Sequence, residues 1–216
     1  MDAPGSVRDL LAESLDSGRN HIGQIVIGKD YSLRHVEDVS VESGELKRHA
    51  DPVEAREIAR YDAEGNFRPL KTAPTLKRGW LLETGSLDGL LMALEFFYPA
   101  SLGLWLSQMK GCLHPTPLRE TLDRQTGMYR ITQLLRDDQA GELVATCCNS
   151  ESGCLRTILW ELSKGIPVTT LPSTKLSLDR LPPDRIPLIC RELCNLAVAA
   201  ARPVAKGNLP KKEPGA

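Results

Sequence analysis

Hydrophobic residues in the first third of the chain recur at helical spacing and then at strand spacing. Apolar side chains three and four positions apart predict a helix over residues 7–15, with Ser6 as its N-cap. Apolar runs over residues 22–27 and 31–36, separated by a polar turn, predict a β-hairpin. The pair Asp51-Pro52 has the residue types that begin a helix, which we expect to continue to about residue 60.

The remaining two thirds of the chain contain more predicted helices than strands. Ser86 is predicted to be the N-cap of a helix over residues 87–97, as Ser6 is for the first helix. After Pro99, a further helix is expected to run to about residue 108. A third helix is expected over residues 118–125, and Pro187 is expected to open a final helix that ends near Arg202. Between them we predict strands over residues 128–135 and 143–146, joined by a turn at residues 137–141.

These patterns together predict an α+β protein with two modules. We expect residues 1–84 to form a small α+β module built from a hairpin and helices. Residues 85–206 are expected to form a mainly helical module with a short sheet that carries most of the cysteines. The tail, residues 207–216, is rich in lysine, proline and glycine and is predicted to be disordered.

Composition and charge exclude several classes of function. The net charge of −1 and the low aromatic content of 5% argue against a nucleic-acid-binding surface, so no nucleic-acid partner is expected. The apolar stretch 87–109 contains Asp88, Glu95 and Pro99, which favours a pair of buried helices over a membrane span. The first residues lack a secretory signal pattern, so we expect a cytoplasmic protein whose thiols stay reduced.

Five of the six cysteines lie in the last third of the chain, and they are the strongest candidates for chemistry. Cys190 and Cys194 are four positions apart, and on the predicted final helix both thiols would share one face. Cys154 follows a polar loop, residues 149–153, and either Cys148 or Cys147 precedes that loop. Four thiolates suit tetrahedral zinc or an iron–sulfur cluster, and these loose spacings favour a [4Fe-4S] cluster over zinc.

The alternative interpretation is that these cysteines are small buried core residues, and we assign Cys112 to that class. The sequence contains no complete catalytic motif, whether a nucleophile elbow, a P-loop or a dinucleotide fingerprint, so enzymatic activity stays an open question. The basic stretch 68–78 could bind an anionic group such as a tetrapyrrole carboxylate, although a solvated loop is the favoured interpretation.

Several separated segments of the chain resemble one known family. The family is that of deinococcal-type multidomain proteins, in which a CbiX-like, sirohydrochlorin chelatase-like region is followed by a stabilising domain and a [4Fe-4S]-binding domain. The resemblance rests on residues 68–74, 78–80, 124–130, 154–160 and 194–202. It implies a cluster rather than zinc, with ligand roles for Cys154, Cys190 and Cys194 and a fourth role for Cys148 or Cys147.

No part of the 216 residues resembles the chelatase region, so chelatase activity is not carried over. We therefore expect an iron–sulfur cluster-binding protein with a redox or accessory role near tetrapyrrole and metal-chelatase metabolism. Its expected partner is a separate chelatase or an electron-transfer protein. The alternative is a non-catalytic structural zinc or protein-interaction module.

Overall fold

A six-stranded mixed sheet lies at the centre of the first half of the molecule. The structure is a computed structural model that describes residues 4–68, 70–114, 116–148, 154–158, 160–161 and 182–208. In the order in which they lie side by side, the strands are β4 (Lys47–His49), β5 (Trp80–Glu83), β3 (Ser32–His35), β2 (Ile25–Ile27), β1 (His21–Ile22) and β9 (Arg185–Ile186). Because β9 comes from the last part of the chain, the sheet joins the two ends of the sequence.

Four helices pack with this sheet around the larger of two hydrophobic cores. They are α1 (Val7–Asp16), α2 (Ala55–Ile58), which follows a 3₁₀ turn at Pro52–Glu54, α3 (Leu87–Phe97) and α4 (Ser101–Met109). The predicted caps are confirmed, since Ser6 Oγ accepts a hydrogen bond from the N–H of Asp9 and Ser86 Oγ accepts one from Gly89. Leu11, Leu90 and Trp105 are among the side chains that these helices bury completely or nearly so.

The predicted hairpin is present as β2 and β3. The predicted strand over residues 22–27 is instead two antiparallel strands, β1 and β2, separated by a turn. Gly23, between β1 and β2, has a φ of +56°, and a Cβ atom at this position would lie 2.4 Å from the Tyr98 hydroxyl. That hydroxyl accepts a 2.9 Å hydrogen bond from the N–H of Gln24. Only glycine therefore allows the turn to approach the buried tyrosine so closely.

A second, smaller core is mainly helical. It is formed by α5 (Leu118–Asp123), a 3₁₀ segment at Gly127–Leu134, α6 (Asp137–Cys147) and α7 (Asn195–Asn208). Two pairs of short parallel strands lie beside it: β6 (Thr116–Pro117) with β8 (Trp160–Glu161), and β7 (Thr157–Ile158) with β10 (Ile189–Cys190). The α+β class predicted from the sequence is confirmed.

Two predicted strands are helical in the structure. Residues 128–135 lie mostly in the 3₁₀ segment, and residues 143–146 lie in α6, which also includes the predicted turn at 137–141. The Gln139 side-chain oxygen accepts a 3.0 Å hydrogen bond from the Arg136 N–H, and Asp137 and Asp138 occupy the first turn of α6. This N-terminal capping and the favourable dipole interaction outweigh the β-branched residues further along the helix.

The final helix begins eight residues later than predicted, at Asn195 instead of Pro187. The intervening residues are extended because Ile189 and Cys190 pair with Thr157 and Ile158. The helix continues to Asn208, which includes the first two residues of the predicted disordered tail. The rest of that tail and the predicted polar loop at 149–153 lie outside the described residues.

Helices α3 and α4, which the sequence prediction placed in the second module, contribute to the first core through residues such as Leu90, Phe97 and Trp105. Across the residues that the structure describes, no single helix is long and apolar enough to cross a bilayer. The α3–α4 pair meets the length and composition criteria jointly, but the two helices are bent by 106° at their junction.

Candidate metal centre

Four of the clustered cysteines are placed by four different structural elements. Cys148 is the C-terminal cap of α6, and Cys154 is the first residue of the described segment 154–158. Cys190 is the last residue of β10. Cys194 immediately precedes α7, where its carbonyl accepts a 3.0 Å hydrogen bond from the N–H of Val198. The prediction that Cys190 and Cys194 share one helical face is therefore wrong, because a strand and a helix start hold them instead.

These four cysteines nevertheless line one pocket. The pocket is narrow and mostly enclosed. Its lining residues come from both halves of the chain and are Leu70, Thr72, Cys148, Cys154, Arg156, Trp160, Cys190, Glu192, Cys194 and Ala197. Three of the cysteines are buried and Cys194 is partly exposed. The long-range convergence of these residues depends on the pairing of β10 with β7 and not on local spacing.

Cys147, the alternative to Cys148 in the sequence prediction, lines a different pocket. Its neighbours there include Leu143, Ala200 and Val204, on the side where α6 packs against α7. Successive residues on a helix point about 100° apart, since a turn contains 3.6 residues. The end of α6 thus directs the two adjacent thiols toward different surroundings.

The pKa shifts of the thiols also group Cys148 with Cys154, Cys190 and Cys194. Burial raises the pKa of the Cys148 thiol far above its usual range, and Cys154, Cys190 and Cys194 add to this shift, with Cys147 contributing least. Burial raises the pKa of Cys147 too, but the only cysteine that contributes to its shift is Cys194. A Cys148 thiolate would therefore interact electrostatically with Cys154, Cys190 and Cys194, and less strongly with Cys147, as expected for a site that the first four share.

Two hydrogen bonds already reach the sulfur atoms of this group. Burial raises the pKa of Cys154, and a hydrogen bond from the Arg156 backbone N–H opposes that rise. The thiol of Cys190 donates to the carbonyl oxygen of Glu192 at 3.3 Å. An N–H···S bond of the first kind stabilises a thiolate, which is the form that binds metal.

The donor set fits an iron–sulfur cluster. Four thiols around one pocket are the ligands that a [4Fe-4S] cluster takes, and Arg156 lies at the same pocket with a positive charge that would offset the negative charge of the sulfurs. Within the described part of the chain, no group of three or more His, Cys, Asp or Glu side chains is arranged to hold a single metal ion.

The sequence analysis missed the pocket residues that come from the first half of the chain. Leu70 and Thr72 lie in the basic, proline-containing stretch that was interpreted as a solvated loop. That interpretation is wrong for Arg68, which is 4% exposed and donates hydrogen bonds to the carbonyl oxygens of Ala59, Lys71 and Ala73. The sequence did contain one indication that this stretch matters, because it is one of the segments on which the family resemblance rests. Cys112, expected to be buried, is exposed and lies outside the pocket.

Comparison with known proteins assigns both parts of the chain. Residues 9–109 match the family described as the DR2241 stabilising domain, and residues 110–203 match the family described as a 4Fe-4S iron-sulfur cluster binding domain. The two matches meet between residues 109 and 110, so α3 and α4 fall within the first. No protein with a curated description matches the sequence.

The fold is similar to that of DR2241 from Deinococcus radiodurans, whose crystal structure is described as a multi-domain protein with structural similarity to chelatases and two additional novel domains. The TM-score is 0.68 at 29% sequence identity, over 91% of this chain and 41% of DR2241. This chain thus spans about two fifths of that protein. The resemblance seen in the sequence and the expectation of a [4Fe-4S] cofactor are both confirmed.

Proposed function

Because the chain joins a DR2241 stabilising domain to a 4Fe-4S iron-sulfur cluster binding domain, we propose that it is a redox or accessory protein whose cluster is held by Cys148, Cys154, Cys190 and Cys194. One observation carries the choice of ligands: these four thiols line a single pocket, whereas Cys147 lines another. A bound [4Fe-4S] cluster supplies one-electron transfer, with a potential that depends on the protein around it.

The residues of the pocket have distinct tasks in this proposal. The four cysteine sulfurs bind iron as thiolates. Leu70 and Trp160 exclude water from the site, and the Arg156 guanidinium offsets negative charge. The N-terminus of α7 lies directly after Cys194, where the helix dipole favours a negatively charged sulfur.

Cys194 is the proposed point of electron exchange with a partner. It is the only partly exposed member of the ligand set, while the other three are buried. An electron-transfer partner would approach this side of α7 and the neighbouring Glu192, which is exposed. All six cysteines are free thiols, which is consistent with the reducing cytoplasm as the proposed location.

The link to tetrapyrrole metallation rests on the similarity to DR2241, a protein described as similar to chelatases in structure. In the proposed arrangement, this chain works beside a separate chelatase. Its cluster would supply electrons to the metallation reaction or report the redox state of the iron supply. The chelatase activity itself is not assigned to these 216 residues.

Anaerobic reconstitution with iron and sulfide tests the cofactor and its redox role. We expect about four iron and four sulfide atoms per chain, brown colour, and reversible one-electron reduction that produces an electron paramagnetic resonance signal. A colourless protein that binds only stoichiometric zinc would support the structural zinc module instead. A cluster that is lost on reduction would contradict the electron-transfer role but not cluster binding.

The chelatase link needs a second experiment. The rate of metal insertion by a purified sirohydrochlorin chelatase would be measured alone, with the cluster-loaded protein and with the cluster-free protein. We expect a faster rate with the loaded protein only. Equal rates in all three reactions, together with no complex in analytical ultracentrifugation, would contradict the accessory role.

A further inference from the structure

Among the described residues, the Nε of the half-buried Arg156 and two fully buried side chains, Thr72 and Trp160, are hydrogen-bond donors that line the cysteine pocket without an acceptor. Thr72 is 1% exposed and Trp160 is 3% exposed, and both contribute to the wall of the pocket. Neither the Thr72 hydroxyl oxygen nor the Trp160 indole nitrogen has a hydrogen-bond partner among the described residues. Buried polar groups in folded proteins are almost always paired, and an indole N–H can only donate. These two groups therefore point to an acceptor that belongs in the pocket.

Among the described residues that line this pocket, the side-chain acceptors are mainly the cysteine sulfur atoms. The wall contains four cysteines, whereas its one carboxylate, Glu192, is exposed and bonded to the Arg124 guanidinium at 2.8 Å. A neutral thiol accepts hydrogen bonds weakly, but a thiolate bound to iron and a cluster sulfide carry negative charge and accept them well. The pocket thus satisfies its donors when the cluster is present.

The backbone at and around Thr72 is held in place by three hydrogen bonds. The Arg68 guanidinium donates to the carbonyl oxygens of Lys71 at 2.9 Å and Ala73 at 2.7 Å. The Thr72 carbonyl accepts a 2.8 Å hydrogen bond from the N–H of Leu155, the residue after Cys154. A threonine fixed in this way is positioned in advance and does not have to be ordered when the cluster is bound.

We propose that Thr72 and Trp160 donate hydrogen bonds to the sulfur atoms of the bound cluster, so that the stabilising domain, through Thr72, sets the cluster's reduction potential. Reduction adds one electron and so increases the negative charge on the sulfurs. Donors directed at those sulfurs stabilise the reduced form more than the oxidised form, which raises the potential. The stabilising domain then has a function in the redox chemistry in addition to its contribution to folding.

This inference rests on the proposed ligand set, and its test separates the two. Thr72→Val removes the hydroxyl while keeping the shape of the side chain. Thr121→Val is the matched control, because Thr121 is fully buried with an unpaired hydroxyl among the described residues but lies outside the pocket. Each variant is reconstituted anaerobically, its iron and sulfide are counted, and its potential is measured by spectroelectrochemical titration.

We expect Thr72→Val and Trp160→Phe to keep a full cluster with a more negative potential. At a fixed applied potential, the ratio of reduced to oxidised cluster should fall about threefold or more in each, which corresponds to about 28 mV for a one-electron couple. Thr121→Val should match the unchanged protein, and Thr72→Ser, which restores a hydroxyl, should return most of the shift. Pulsed magnetic resonance of the reduced cluster should show an exchangeable proton that is lost in Thr72→Val.

Two results would overturn the inference. One is a potential in Thr72→Val and Trp160→Phe equal to that of Thr121→Val. The other is an unchanged exchangeable-proton signal in Thr72→Val. If Thr72→Val fails to load iron, the comparison is made on Thr72→Ser and Trp160→Phe, where an unshifted Trp160→Phe potential counts against the proposal. Loss of iron from the unchanged protein under the same conditions would contradict the proposed function instead.

Discussion

The N–H of Leu155 donates a 2.8 Å hydrogen bond to the carbonyl oxygen of Thr72 and thereby connects the two domains next to Cys154. Leu155 also packs against the first hydrophobic core, although the cysteine before it faces the pocket beside the second. The cysteine pocket therefore lies between the parts of the chain that match the two families. Substitutions in the stabilising domain should therefore affect the stability of the metal centre.

Arg68 provides the most direct test of that coupling. Replacing it with methionine leaves the carbonyl oxygens of Ala59, Lys71 and Ala73 without their buried donor. We expect Arg68→Met to lower the free energy of unfolding by about 2–4 kcal/mol, because several buried acceptors lose a charged partner. Urea denaturation measures the loss, and the rate of iron release in air should rise because the segment around Thr72 is no longer held.

The matched control is Arg8→Met. Arg8 binds Asp88 at 3.0 Å, but both side chains are largely exposed to solvent. An exposed pair of this kind contributes about 0–1 kcal/mol, so this variant should keep its stability and its cluster. Equal losses in the two variants would show that Arg68 has no special structural role.

Removal of the cluster should lower the local stability of some parts of the molecule more than that of others. A ligand that binds only the folded state stabilises the parts that form its site. We expect the amides of the second core and of residues 70–75 to exchange hydrogen about tenfold or more faster after the cluster is removed. The amides of Leu33 and Leu82, in the central sheet, should change little.

Hydrogen-exchange mass spectrometry of the loaded and unloaded protein measures both regions in one experiment. The sheet residues serve as the internal control, because they lie in the first core and away from the pocket. A uniform increase in exchange over the whole chain would contradict the assignment of the cluster to this pocket.

The buried side chain of His35 predicts a pH dependence of stability. His35 is 0% exposed, and its Nδ1 accepts a hydrogen bond from the Glu37 N–H at 3.1 Å. Burial lowers its pKa, although the charges of Asp38 and Glu37 oppose the shift. As the pH falls below the ordinary histidine value of about 6.5, the unfolded chain gains a proton that the folded chain resists, so stability should fall by up to about 1.4 kcal/mol per pH unit.

His35→Asn isolates this effect. Asparagine can still accept the hydrogen bond from Glu37 but does not titrate, so the variant should lose stability overall while its dependence on pH between 7.5 and 5.5 becomes flatter. Urea midpoints measured across that range provide the comparison. A variant with the same slope as the unchanged protein would show that another group is responsible.

Local signals in the sequence were sufficient for much of the first core. Ser6 and Ser86 cap helices where their residue types predicted, and the hairpin follows from its apolar runs. α6 was missed because its later residues, such as Val144 and Thr146, favour strands, whereas the capping contact between Arg136 and Gln139 depends on geometry. The cysteine spacing favoured a [4Fe-4S] cluster over zinc, and the family resemblance implied the same cofactor.

The arrangement of the metal centre could not be predicted from local pattern. Cys190 reaches the pocket because Ile189 and Cys190 pair with Thr157 and Ile158, more than thirty residues away in sequence, and hydrophobic periodicity does not report such pairing. The contribution of Thr72 likewise depends on its contact with Leu155. The boundary between the modules at residues 84 and 85 stays a prediction, and the helices beyond it pack in the first core.

The choice between the two adjacent thiols of α6 tests the central claim most directly. Cys147→Ser, Cys148→Ser and the exposed control Cys112→Ser would be reconstituted anaerobically and their bound iron and sulfide counted. We predict that Cys148→Ser loses most of its iron, while Cys147→Ser and Cys112→Ser keep about four iron atoms per chain. Full iron in Cys148→Ser, or loss of iron in Cys147→Ser alone, would contradict the proposed ligand set.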